Sequence, residues 1–114
     1  MVAPFDLSVD AGELSDEPEG LFDWITTANV ACGGHAGDRA TVRRTLERAG
    51  RSNVAVVAHP SYPDRAGFGR TRRWCSASEV EGRVGEQLDL LLSEASSARV
   101  PVLGIKPHGG LYHD

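Results

Sequence analysis

The stretch Val54-Ala55-Val56-Val57-Ala58-His59-Pro60 decides the fold: a short run of small and β-branched apolar residues that stops at a histidine and a proline. A run of that length ending in a turn signal reads as a strand. Two further segments have the same form. Ala28-Asn29-Val30-Ala31-Cys32 leads into Gly33-Gly34-His35-Ala36-Gly37-Asp38, and Val102-Leu103-Gly104-Ile105 leads into Lys106-Pro107-His108-Gly109-Gly110. Three of the four histidines thus follow an apolar run and precede turn-forming residues. A fourth segment, Phe5-Asp6-Leu7-Ser8-Val9-Asp10-Ala11-Gly12-Glu13, ends in carboxylates instead. If the runs are parallel strands, their polar tips share one edge of one sheet, where α/β enzymes place their active sites.

Helix signals fill the intervals. Asp38 is a good N-cap for a helix from Arg39 to Ala49, with Val42, Leu46 and Ala49 on one face and Gly50 as its stop. Its arginines, Arg39, Arg43, Arg44 and Arg48, are expected to face solvent. Ser76-Ala77-Ser78-Glu79 reads as a capping box opening a long helix, whose apolar stripe is Val80, Val84, Leu88, Leu91 and Ala95. Pro101 separates that helix from the last run, and a short helix is expected around Glu19 to Ile25. Between His59 and Ser76 the chain is rich in Pro, Gly and Arg, too broken for a regular element, and a loop of that length in a compact domain is usually functional or disordered. The alternation of strands and helices is a βαβα pattern, which implies a parallel sheet. Strand order is not legible.

Composition narrows the function classes. The chain has 114 residues, 40% of them hydrophobic, which suits one small domain over residues 1–114. A net charge of −4 offers no basic surface to nucleic acid. Lys106 is the sole lysine, the other basic side chains being arginines. No apolar stretch approaches the roughly 20 residues that span a bilayer, and Met1-Val2-Ala3-Pro4-Phe5-Asp6 has no signal-peptide character, so a cytoplasmic protein is expected. Cys32 and Cys75 match no metal-binding spacing and read as reduced, partly buried thiols; a nucleophilic Cys32 beside Gly33-Gly34-His35 is the lesser reading.

The strand tips carry the chemistry. Asp6 and Asp10 share one face of the first strand, and Asp10 is either a solvated turn residue or a ligand or general base at the sheet mouth. Around His35 the glycines permit close backbone approach, and the following helix N-terminus offers amide donors to an anion. A lone histidine here would be a packing or turn residue; three parallel instances weigh against that. Two histidines with a carboxylate can bind a divalent metal, the candidates being Asp10, His59 and His108, with Asp64 five residues after His59. The same groups can instead work as a metal-free acid/base pair. Lys106 suits a substrate carboxylate or an oxyanion. Tyr112, His113 and Asp114 are expected to fray.

Taken together, Asp6–Glu13, Asn29–Asp38, Ala58–Asp64, Gly67-Phe68-Gly69-Arg70 and Lys106–Tyr112 resemble the LamB/YcsF family, the lactam-utilisation proteins described as the A subunit of bacterial 5-oxoprolinase. The resemblance covers essentially the whole chain in the right order. It departs from the usual family pattern at Ser8, Val9 and Ala11, where Asn, Cys and Leu are usual, at Gly34 for Phe, and at Ser61-Tyr62 for Gly-Phe. It implies a parallel (β/α) barrel of the glycoside hydrolase/deacetylase type, which takes ~250 residues when complete, so about half a barrel is expected here. A truncated chain, a split protein completed by a second polypeptide and a dimerising half-barrel each account for that length.

The resemblance further implies that the A subunit works with 5-oxoprolinase subunits B and C to convert 5-oxo-L-proline, ATP and water to L-glutamate, ADP and phosphate. ATP enters through the partner subunits, because opening an unstrained lactam is unfavourable by itself. On that reading Asp10, His35, His59 and His108 place or deprotonate water. Glu13, Asp38, Arg70 and Lys106 bind substrate, Lys106 and Arg70 holding a carboxylate or a phosphoryl group. Two other readings stay open: a non-catalytic remnant or interaction module, and a metal-dependent amidase or deacetylase that needs no ATP.

Overall fold

A computed structural model of the chain describes residues 5–71 and 76–114. Its four strands are β1 (Ser8–Ala11), β2 (Thr27–Ala31), β3 (Ala55–His59) and β4 (Val102–Ile105). They form one parallel sheet in the order β1-β2-β3-β4. A doubly wound sheet reverses its strand order near the middle, whereas a barrel wall adds each strand beside the last. The unbroken order is that of a barrel wall, in keeping with the half-barrel expected from the motifs. Helices α1 (Arg39–Arg51), α2 (Ala77–Ala98) and α3 (Gly110–His113) and a 3₁₀ turn at Glu19–Asp23 complete the described elements.

The strands are sorted by side-chain alternation. On one face Ala11, Ala28, Val30, Val56 and Ala58 are buried in a core shared with Val42, Leu46 and Ala49 of α1 and Leu91 and Ala95 of α2. Small alanines on these strands let the helices lie close to the sheet. On the other face the register aligns Asp10 with Asn29 and Asn29 with Val57, and one pleat further aligns Ala31 with His59. Polar side chains on that face therefore collect toward the carboxyl ends of the strands.

Between β3 and β4 the register slips: Val56 pairs with Val102 and Ala58 with Ile105, so β4 holds one extra residue. Such a bulge bends the strand and re-aims the residues beyond it. The ladder then resumes, with the Lys106 amide donating to the Ala58 carbonyl and the His108 amide to that of Pro60, both at 2.8 Å.

Several local expectations are corrected. Helix α1 runs through Gly50 to Arg51, and the chain turns left-handed at Asn53 (φ 55°), a residue type that tolerates this conformation. The cap itself is as expected: the Asp38 carboxylate accepts from the Thr41 amide, and the Thr41 hydroxyl accepts from the Asp38 amide. The arginines of α1 lie on its solvent side as expected, Arg39, Arg43 and Arg44 being exposed and Arg48 partly so, yet three of them are engaged. Arg39 and Arg43 both reach Glu94 of α2, at 2.6 and 2.9 Å, and Arg48 donates to the Pro18 carbonyl. On α2, Val80, Val84 and Leu88 are only partly covered, while Gln87 and Glu94 are buried with Leu91 and Ala95. The expected helix near residues 19–25 is a shorter 3₁₀ turn. Tyr112 and His113 do not fray but belong to α3, and the Tyr62 hydroxyl donates to the Asp114 carboxylate. Cys75, together with Arg72 and Arg73, lies outside the described residues.

Candidate functional site

The three histidines that follow apolar runs meet in one buried cluster, although their elements are far apart in sequence. His59 is the last residue of β3, and His35 and His108 come from the loops after β2 and β4. His35 stacks on His108 with ring centroids 3.7 Å apart, and His59 meets both rings edge-on. Glu13, from the loop after β1, joins them: its Oε2 lies 2.5 Å from His35 Nε2, 3.8 Å from His108 Nδ1 and 4.0 Å from His59 Nε2. Among the described residues, Glu13, His35, His59 and His108 each bring a donor atom within 4.8 Å of all the others.

Asp10 stands at the open side of this cluster. Its Oδ2 is 3.4 Å from His59 Nε2, and its Oδ1 accepts from Asn29 at 3.2 Å and from Lys106 Nζ at 3.3 Å. Burial pulls the Asp10 carboxyl upward, but His59, the Asn29 bond and Lys106 outweigh it and hold the pKa below the usual carboxylate value. For His59 and His108, burial is the largest influence and pushes both below the usual imidazole value, favouring neutral rings. A cavity of about 320 Å³ opens beside Asp10, His59, Lys106 and His108.

The surrounding shell is built from backbone and from residues whose part was not legible beforehand. His59 Nδ1 donates to the Lys106 carbonyl (2.7 Å), which the β4 bulge brings into place, and His108 Nε2 donates to the Phe68 carbonyl (2.8 Å). His35 Nδ1 meets Ser61 Oγ at 3.1 Å, and the Ser61 hydroxyl donates onward to the Tyr62 carbonyl. Gln87 of α2 grips the Ser61 backbone from both sides, accepting from its amide and donating to its carbonyl. The Glu17 carboxylate accepts from the amides of Gly12, Glu13 and Leu14 and so fixes the loop that carries Glu13. Asn29 pairs with Asp10 in the β1–β2 register and shares its face of the sheet.

The loop after β3 folds over the histidines. Asp64, buried, accepts from the Gly67 and Thr71 amides and shapes the turn instead of entering the cluster. Gly69 (φ +73°) presses on the rings so closely that a Cβ there would stand 2.8 Å from His35 Cβ and 3.0 Å from His108 Cδ2. Only glycine combines that conformation with that approach.

Two expected substrate-binding residues lie outside the cluster: Asp38 is occupied as the α1 cap, and Arg70 places its guanidinium 5.4 Å over the Phe68 ring. Cys32 is buried and its thiol is pushed up to about 11, which removes the thiolate a nucleophile needs.

A sequential parallel sheet with histidines and carboxylates gathered at the carboxyl ends of its strands defines the class: an α/β protein with half of a barrel and a polar site at its mouth. The chain belongs to the LamB/YcsF family, whose profile matches residues 5–114. It is similar to the 5-oxoprolinase A subunit of Chloroflexus aggregans, 43% identical, the match covering 95% of this chain and 45% of that protein. It is 48% identical over 90 residues to the 5-oxoprolinase A subunit numbered 3 of Pseudomonas aeruginosa, covering 79% of this chain and 36% of the other. In three dimensions it is similar to the lactam utilization protein from Thermus thermophilus, with a TM-score of 0.88 and 35% identity over 95% of this chain and 46% of that one. The chain thus spans less than half the length of these relatives. The letter in the relatives' name implies that they have further subunits beside them. Among the described residues, no helix is long and apolar enough to cross a membrane.

Proposed function

We propose that this chain carries the site-bearing half of a 5-oxoprolinase A subunit. On this reading it opens the ring of 5-oxo-L-proline to L-glutamate with subunits B and C, which bind and hydrolyse ATP. The observation that supports it most is the convergence of Asp10, Glu13, His35, His59, Lys106 and His108 from all four strand ends, with Asp10, His59, Lys106 and His108 lining one cavity. The names of the relatives supply the substrate class. The other wall of the barrel comes from further polypeptide, whether in the same chain, a second chain or a second copy.

Ring opening requires water to add to the lactam carbonyl carbon, the C–N bond to break, and the departing nitrogen to take up a proton. The ionised Asp10, at the open side of the cluster, is suited to take the proton from water and return it to nitrogen, and the rings of His59 and His108 to place that water. Lys106, half-exposed and paired with Asp10, meets the substrate carboxylate or the developing oxyanion. Arg70, at the outer rim, holds a carboxylate or phosphoryl group. Activation of the lactam falls to the ATP-using partners, since the carbonyl of an unstrained amide is a poor electrophile.

The test is lactamase activity of the reconstituted complex. His59→Ala and His108→Ala are each expected to lower kcat by roughly 10²–10⁴-fold, the usual worth of a positioned acid or base. Lys106→Ala is expected chiefly to raise KM. Unchanged ATP-dependent ring opening in both histidine variants would refute the assignment. Ring opening without ATP or partner subunits would favour a stand-alone amidase instead.

A further inference from the structure

The hydrogen bonds around the cluster fix which nitrogen of each ring carries the proton. Carbonyl oxygens can only accept, so His59 Nδ1, facing the Lys106 carbonyl, and His108 Nε2, facing the Phe68 carbonyl, are both N–H. The Ser61 hydroxyl spends its proton on the Tyr62 carbonyl, so its oxygen accepts from His35 Nδ1. In singly protonated rings the nitrogens left bare are His35 Nε2, His59 Nε2 and His108 Nδ1, and all three point inward at Glu13 Oε2. Two lone-pair encounters result: His59 Nε2 against His108 Nδ1 at 3.0 Å, and His35 Nε2 against the Glu13 carboxylate at 2.5 Å. Lone pairs so close and so buried repel one another unless a positive centre lies among them.

From this we infer that Glu13, His35, His59 and His108 form a binding site for one divalent transition-metal ion, with Asp10 beside it and not among its ligands. Histidines oriented by carbonyls and a hydroxyl through the nitrogen remote from the cluster are the arrangement that fixes metal-ligating tautomers. Imidazole nitrogens with a carboxylate suit zinc, iron, cobalt or nickel better than calcium or magnesium, which prefer all-oxygen shells. The donors are gathered but not yet at ligand spacing: bonds of about 2.0–2.1 Å imply donor separations of about 3.3 Å around a tetrahedral ion, against a range here from 2.5 Å up to 4.8 Å, so an ion would draw the rings in slightly. The cavity beside His59 and His108 gives a path of entry and room for a water or substrate oxygen. The site uses residues of the proposed active site, yet it stands whether or not the substrate is a lactam.

The experiment uses the protein in its native assembly, stripped with chelator and then titrated calorimetrically with Zn²⁺ and Co²⁺. One ion per chain is expected, together with cobalt absorption and paramagnetically shifted histidine resonances. Glu13→Gln and His108→Asn should each abolish binding or weaken it by 100-fold or more, roughly the upper range for disturbing a metal site. Ser61→Ala, a positioning change that leaves the ligands in place, should weaken it about 10–100-fold, and circular dichroism identifies any variant that is merely unfolded. Two results would overturn the inference: no saturable binding, with a histidine imidazolium visible by ¹⁵N NMR at neutral pH, or equal affinity in folded Glu13→Gln and His108→Asn. Metal binding without ring opening would sink the lactam reading alone, and ring opening without saturable metal binding would sink the metal site alone.

Discussion

Glu17 acts on the site at one remove, because its carboxylate holds three successive amides of the loop that presents Glu13. Hydrogen bonds to a charged group contribute about 1.5–3 kcal/mol, so Glu17→Ala is expected to destabilise the protein by that order. Denaturant titration measures the loss, and hydrogen exchange should show deprotection at residues 12–14. Gly34 is a second control point: a Cβ there would stand 2.4 Å from Gln87 Oε1 and 2.6 Å from Ser61 Oγ. Gln87 cannot yield freely, since both ends of its amide are held by the Ser61 backbone. Gly34→Ala should therefore displace Ser61 from His35 and cost about 1–3 kcal/mol, the usual range for overpacking. Urea midpoints of Gly34→Ala alone and combined with Ser61→Gly check this, the double variant recovering part of the stability. At this scale the sequence was informative about which residue types mattered. It was silent on Glu17, Ser61 and Gln87, whose roles lie in contacts made with backbone.

At the scale of elements, α1 and α2 are joined by apolar packing and by one buried carboxylate. Leu46 and Leu91 are fully buried between them, and truncation of either to alanine should cost about 2–5 kcal/mol in thermal or chemical denaturation. Glu94 is held by hydrogen bonds from Arg43 and Arg39, which bring its pKa from 4.5 to about 2. A carboxyl depressed in the folded state stabilises it fully above its unfolded pKa and loses that contribution as pH falls. The window here runs from about 4.5 down to about 2. Glu94→Gln should lower stability at neutral pH and flatten its decline across that window, measured as thermal midpoints between these limits. A difference from wild type that stayed constant with pH would count against the ion pair. Helical periodicity located both helices but assigned the burial of α2 partly to the wrong side chains. A stripe counted in apolar residues cannot include a glutamate that arginines from another helix neutralise.

Over the whole molecule, the sheet has two outer strands, and apolar side chains collect near both. Leu103 and Ile105 on β4 are 68% and 58% exposed, and Phe5 ahead of β1 is 67% exposed. Parallel strands with open edges invite pairing with another chain, and the relatives are more than twice as long as the part matched here. A polypeptide of residues 1–114 by itself is accordingly expected to self-associate in light scattering. Leu103→Lys with Ile105→Lys should reduce that association, since edge lysines oppose strand pairing. A wild-type polypeptide that remained monomeric and well folded would show that these surfaces need no cover.

Short apolar runs, their polar tips and the helix signals between them were enough to determine a parallel α/β chain with histidines and carboxylates at one sheet edge, because each is a local pattern of residue types. Strand order, the slip between β3 and β4, and the placing of Glu13 as a carboxylate within 4.0 Å of all three histidines were decided only in three dimensions. Each depends on backbone groups from distant segments meeting: the Lys106 and Phe68 carbonyls turn two rings inward, and Glu17 sets the loop that delivers the carboxylate. A residue's type states what it can ligate or protonate, and the fold decides which of its atoms faces the site.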